Sequence, residues 1–198
     1  MAPAPEPAPP AGLGHVGRLL DAAETKAAWL TELRAAQRID MLAFTFDLED
    51  VVEELIAARV RKVEVRALFD KRQAYGNATR RMKGALRRMA AYGVEVRTIS
   101  GFELAGVYHG YVAGSGVLHA KVLATEASLI VGSCNWTTAS QANQEWDVQV
   151  QLNESGLAEV KRRYDKLWAA GQAFDLAEAE AQVEGRRRSP SRPRQAAP

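Results

Sequence analysis

Residues 118–138, LHAKVLATEASLIVGSCNWTT, hold four polar side chains around an apolar run: His119 and Lys121 two apart, then Ser133 and Asn135 two apart. In an extended strand, residues i and i+2 point to the same face. His119 and Lys121 therefore project together from a strand predicted over 117–125. Ser133 and Asn135 do so just past a second strand over 128–133. A tight link at Glu126 and Ala127 would join the two strands as a hairpin, bringing the four side chains to one pocket. A neutral imidazole acts as nucleophile or base. An ammonium, an amide and a hydroxyl all donate hydrogen bonds to non-bridging phosphoryl oxygens. The set suits phosphoryl transfer through a phosphohistidine, with fixed donors stabilising the developing charge.

The elements that must position these residues follow from periodicity. Residues 16–37 read as an amphipathic helix and IDMLAFTF (39–46) as a strand. LEDVVEELIAARV (48–60) is a helix with acids in its first turns, followed by the strand VEVRALF (63–69). Residues 71–93 combine a loop with a basic helix ending near Gly93, and VEVRTI (94–99) is a third strand. A Gly-rich connection, 100–117, leads to the hairpin, a short helix near 137–143, the alternating strand EWDVQVQL (145–152) and a helix over 154–171. Strand and helix alternate in the first half, and short links join the later strands. This order predicts an α/β fold, a mixed sheet sandwiched by helices on both faces. The domain is expected over 15–171. A Pro/Ala-rich disordered tail (1–14) precedes it, and a partly helical, then basic and disordered segment (172–198) follows.

Composition narrows the chemistry. The 198 residues carry 47% hydrophobic and 25% charged side chains, ordinary for a globular protein. With three histidines (His15, His109, His119) and the single Cys134, a His/Cys zinc site is hard to assemble, and metal-free chemistry without a cofactor is expected. Cys134, flanked by Ser133 and Asn135, should point away from the pocket into the core. Trp146 is expected to pack, and Trp136 either packs or lines the entrance. His109 lies in the Gly-rich connection, read as a flexible link or else as a lid or substrate-contacting loop. No apolar run reaches the roughly 20 residues of a bilayer span, and no secretory signal pattern is visible. The expectation is an intracellular protein, cytoplasmic or nuclear.

Net charge is only +2, yet residues 59–97 hold twelve Lys or Arg against three acids, and 186–194 add five Arg without an acid. Such regions point to an anionic partner, nucleic acid or an acidic membrane surface, or else to solvated helix faces.

His119-x-Lys121 followed by Gly132-Ser133-x-Asn135 resembles the HxK…GSxN signature of the phospholipase D superfamily. The likeness covers about 40 to 150. It implies that His119 is the nucleophile or its general-acid counterpart. Lys121 and Asn135 would hold the phosphate, with Ser133 assisting. Glu145, before its strand, would orient His119. Two departures stand out. The family's motif acid is an Asp, whereas here Glu126 follows Lys121 after four residues, so its role is open. Five residues (127–131) then precede Gly132 where the family has six, and one more is missing between Asn135 and Glu145. The family reaction uses two such histidines, and this chain carries one motif and no repeat. The resemblance is thus to the single-motif branch, which includes bacterial endonucleases and the mitochondrial cardiolipin hydrolase/Zucchini type and acts as homodimers with a composite active site. By that resemblance alone, a mitochondrial surface is a second location.

Three functions are therefore carried forward. The leading one is a metal-independent phosphodiester hydrolase acting on DNA or RNA. The second is a phospholipase D or cardiolipin hydrolase acting on an anionic phospholipid. The third is a catalytically weakened module that binds nucleic acid or anionic lipid. Turnover that His119→Ala removes separates the enzymes from the module.

Overall fold

A computed structural model describes residues 17–76, 80–101, 116–175 and 177–179. Its centre is an eight-stranded mixed sheet in the order β1-β7-β6-β5-β2-β3-β4-β8. β2 (Arg38–Ala43), β3 (Glu64–Asp70) and β4 (Glu95–Ile99) are parallel neighbours. Their crossovers are α2 (Glu49–Val60), then α3 (Lys71–Tyr75) with α4 (Arg80–Ala91). β5 (Val122–Ala124), β6 (Ser128–Gly132), β7 (Asp147–Gln151) and β1 (Gly17–Leu20) extend the sheet antiparallel from β2. The mixed sheet expected from the strand and helix order is present.

Helices cover both faces. α1 (Ala22–Ala35), α2 and α4 bury one face through Trp29, Leu33, Val52, Leu55 and Leu86 against Met41, Ala67, Phe69, Leu123 and Ile130. α5 (Glu154–Ala170) covers part of the other, where Tyr164 and Trp168 pack on Leu42, Leu68 and Leu118. Below α5 the buried Arg66 pairs with Asp40 at 2.7 Å and Asp165 at 2.8 Å. Its guanidinium lies 4.7 Å from the Tyr164 ring, and the Tyr164 hydroxyl donates to the Arg66 carbonyl at 2.8 Å. A buried ion pair needs such extra partners to offset its desolvation.

Four boundaries differ from expectation. Residues 17–20, read as the start of the first helix, form β1 against β7. Asp21 and Glu24 make a capping box that starts α1 at Ala22 and leaves the preceding residues extended. β5 spans only 122–124, because residues 116–121 leave the ladder before it. The helix near 137–143 is a single 3-10 turn, Ala139–Ala142. Past α5, Gln172–Ala173 form β8 on the β4 edge, extending the sheet beyond residue 171. Residues 1–16 and 180–198 and the loop bearing His109 lie outside the described residues. Among the described residues no helix is long and apolar enough to cross a membrane.

Candidate active site

The hairpin that carries the motif is closed by Thr125. Its N–H donates to the Ser128 carbonyl at 2.9 Å, and its hydroxyl accepts from the N–H groups of Ala127 (3.2 Å) and Ser128 (3.0 Å). Glu126 lies in this turn too, at the end of β5 away from His119. Its carboxylate accepts from the N–H groups of Gln37 and Arg38 at 3.0–3.1 Å, tying the turn to the start of β2.

At the other end of β5, His119 is exposed and Lys121 is buried. Although 116–121 is not a strand, the Lys121 Nζ lies 3.1 Å from both ring nitrogens of His119 and donates to the His119 carbonyl at 2.7 Å. Burial holds the Lys121 ammonium below the usual lysine range, while the negative charges of Glu145 and Asp147 pull it back up. The two carboxylates favour the charged form against the cost of burial.

Ser133 donates its hydroxyl proton to Glu145 and accepts from the Trp146 N–H at 3.1 Å. Asn143 Nδ2 donates to the second Glu145 oxygen at 3.0 Å. Glu145 is thus bonded to Ser133 and Asn143, and reaches Lys121 through its charge. Asn135 is half-buried, and its Oδ1 is buried with no partner among the described residues. Unspent accepting capacity of this kind calls for a donor, which the oxygens of a phosphodiester do not supply.

Cys134 points into the core, fully buried as expected, and burial pushes its thiol up to about 12. Trp136 packs: it is fully buried, stacks on Trp29 with centroids 3.8 Å apart, and donates its indole N–H to the Leu42 carbonyl at 3.1 Å. Trp146, in contrast, does not pack. It is 71% exposed, because the alternation that turns Glu145 and Asp147 inward turns Trp146 and Val148 outward.

Three positioning residues escaped sequence reasoning. Phe44, just past the C-terminal end of β2, places its ring 4.7 Å from the His119 ring and 5.5 Å from the Lys121 Nζ. Asp70, at the C-terminal end of β3, accepts from the Leu118 N–H at 2.9 Å and caps α3 through the Gln73 N–H at 2.9 Å, fixing the segment that carries His119. Asp147 accepts from the Cys134 N–H at 3.3 Å and from the Thr25 hydroxyl at 3.1 Å, holding the Ser133–Asn135 segment. Burial raises its carboxyl above the usual range. The available signal for Phe44 and Asp70 was topological, since ligands of open α/β sheets bind beyond the carboxyl ends of parallel strands.

Known proteins share this fold. A family model described as "Cardiolipin synthase, PLD-like domain" matches residues 31–168. Among curated proteins, none matches by sequence. Among solved structures, Nuc from Salmonella typhimurium, a phospholipase D family member, is similar at TM-score 0.67 and 24% identity, over 80% of this chain and 97% of that one. NucT from Helicobacter pylori is similar at TM-score 0.69 and 16% identity, over 80% and 99%. TrmBL2, an archaeal chromatin protein whose structure shows a mode of DNA binding, is similar at TM-score 0.54 and 16% identity, over 80% and 54%. With the family model spanning β2 to β7, the motif hairpin and most of α5, the chain belongs to the phospholipase D superfamily.

Proposed function

We propose that this chain is a metal-independent phosphodiester hydrolase acting through a phosphohistidine, as a homodimer, with DNA or RNA as substrate. The observation that carries the reading is the Lys121 ammonium 3.1 Å from the His119 ring nitrogens, beside the Ser133–Glu145 pair. A phosphodiester there meets a nucleophile and donors from Lys121 and Asn135, and Ser133 joins them by withdrawing the proton it gives to Glu145. A ring nitrogen of His119 attacks phosphorus and the bond to the leaving oxygen breaks. The second copy's His119, protonated, gives its proton to that oxygen. Water then attacks the phosphohistidine and returns a proton to the second histidine, releasing a phosphomonoester and regenerating both rings.

An exposed apolar strip beside the site supports the second copy. Leu19, Val148 and Val131 are directly opposite one another across β1, β7 and β6, and directly paired residues share a face. Trp146 continues the strip two residues before Val148. Their exposures run from 37% for Val148 to 71% for Trp146. The Trp146 N–H bonds Ser133, so a partner covering this strip meets the site.

The test is hydrolysis of bis(p-nitrophenyl) phosphate with EDTA present, for wild type and His119→Ala, across protein concentration. The expected result is EDTA-resistant turnover that vanishes in the variant and rises faster than linearly at low concentration. No turnover from folded wild type would overturn the enzyme and favour the binding module. The lipid reading draws on the family model's description as a cardiolipin synthase, and cardiolipin vesicles are its assay.

A further inference from the structure

The basic stretch 59–97 does not present one charged face. Arg59 donates to the Gly93 carbonyl, Arg61 to that of Leu33 and Arg97 to that of Trp168. Arg66 is buried with Asp40, Arg88 pairs with Glu49 and Glu53, and Lys71 bonds Gln172. Arg80 and Arg81, in the first turn of α4, are different. Both are exposed, neither has a partner among the described residues, and both line one cavity of about 360 Å³. Thr45, Phe46, Asp47, Met82, Thr137 and Ala139 complete its wall.

That wall is continuous with the candidate active site. Phe44, whose ring touches His119, immediately precedes Thr45. Phe46 bridges Trp136, the neighbour of Asn135, and the Thr137 N–H donates to the Asn135 carbonyl at 2.8 Å. One to two residues of extended chain, about 3–7 Å, therefore separate the cavity wall from the reacting centre. The cavity's polar equipment is two guanidiniums, two threonine hydroxyls and Asp47. The Oδ1 of that carboxylate already accepts from the Thr138 N–H at 2.7 Å and the Thr138 hydroxyl at 3.2 Å. Two unpaired cations against one engaged acid favour an anion, and a guanidinium matches the oxygens of a phosphate. Of its apolar lining residues, Phe46 and Met82 are buried and Ala139 is exposed.

We propose that this cavity is a subsite for the phosphate next to the scissile one, held by Arg80 and Arg81 with Thr45 and Thr137. The substrate class is then a polynucleotide rather than a single-phosphate diester. This rests on the reading of His119 as the reacting centre.

The test compares wild type with the Arg80→Gln/Arg81→Gln double variant on bis(p-nitrophenyl) phosphate, which has no neighbouring phosphate, and on a labelled single-stranded oligonucleotide. The ratio of kcat/KM for oligonucleotide to that for the small diester should fall by about tenfold or more, through KM. The slope of log affinity against log salt, from anisotropy in a His119→Ala background, should shrink by about one to two. An equal loss on both substrates, or an unchanged ratio and salt slope, would overturn the subsite. Cardiolipin vesicles cleaved in preference to oligonucleotide, with the same dependence on the two arginines, would overturn the polynucleotide assignment. If wild type hydrolyses nothing, the hydrolase reading fails, and the salt slope still decides the subsite.

Discussion

Gly132 lies opposite Asp147 in the β6–β7 ladder, and Gly132→Ala is expected to damage both fold and site. An added Cβ would lie 2.1 Å from Asp147 Oδ1 and 2.5 Å from both Asp147 Cγ and Cα. Carbon atoms pack best at about 3.5–4.0 Å, so the strands must part by roughly 1 Å there. The Asp147 side chain has nowhere to swing: it is buried and held by Thr25 and Cys134. Its backbone is confined as well, since β7 lies between β6 and β1, with Leu20 opposite Asp147. Overpacking of this kind costs about 1–3 kcal/mol. Loss of the adjacent Ser133 N–H to Trp146 carbonyl bond adds about 1. A destabilisation of about 3 kcal/mol by urea unfolding follows, or roughly 6–12 °C in Tm at about 2–4 °C per kcal/mol for a domain of this size. Activity should fall too, because Ser133 and Glu145 flank the contact. Since the Cα clash survives side-chain truncation, Gly132→Ala should remain destabilising in an Asp147→Ala background, by at least half as much. A Gly132→Ala protein within 1 kcal/mol of wild type and fully active would refute the reasoning.

Asp40→Ala removes the shared acceptor of Arg38 and Arg66 and leaves Arg66 with Asp165; a loss of about 3 kcal/mol is expected in urea unfolding, near the lower end for a broken buried pair. Burial lowers the Lys121 pKa relative to the unfolded chain, so between the lowered value and the ordinary one the unfolded state binds more protons, and stability must rise with pH across that interval. Unfolding at several pH values between 7 and 11 should show this rise in wild type relative to Lys121→Met; a constant difference between the two would remove the assigned cause. With its thiol held near 12 and fully buried, Cys134 should resist Ellman's reagent at pH 8 in the native protein and react at once in urea; rapid native labelling would contradict its placement. Trp146→Glu should leave circular dichroism intact while sedimentation shows a monomer and phosphodiester turnover is lost; an active dimer would show that the strip is not the interface.

Much of this protein was legible one residue at a time. The alternation of EWDVQVQL, the helix formers of 154–170 and the βαβ order of 39–99 each reflect a local period, and the sheet and its two helical layers followed from them. The i, i+2 spacing proposed His119 with Lys121 and Ser133 with Asn135, but residues 116–121 are not strand, and Lys121 meets the His119 ring through its own long side chain. Boundaries failed where a long-range partner decided. VGRLL reads as helix until β7 supplies a neighbour for β1, and Gln172–Ala173 acquire a strand only from the β4 edge.

The sequence alone determined which residue types were present and which could share a face, since side-chain chemistry and backbone period need no knowledge of the rest of the chain. Only the tertiary structure decided what those groups touch. It bonded Glu126 to the backbone of β2, joined Glu145 to Ser133 and Asn143, and brought Phe44 and Asp70 to the motif from strands far off in the chain. It also consumed much of the basic charge of 59–97 in internal bonds while leaving Arg80 and Arg81 facing a cavity. The physical reason is the same throughout. A charged or polar group does whatever its nearest partner and its degree of burial impose, and neither is written in the chain positions beside it.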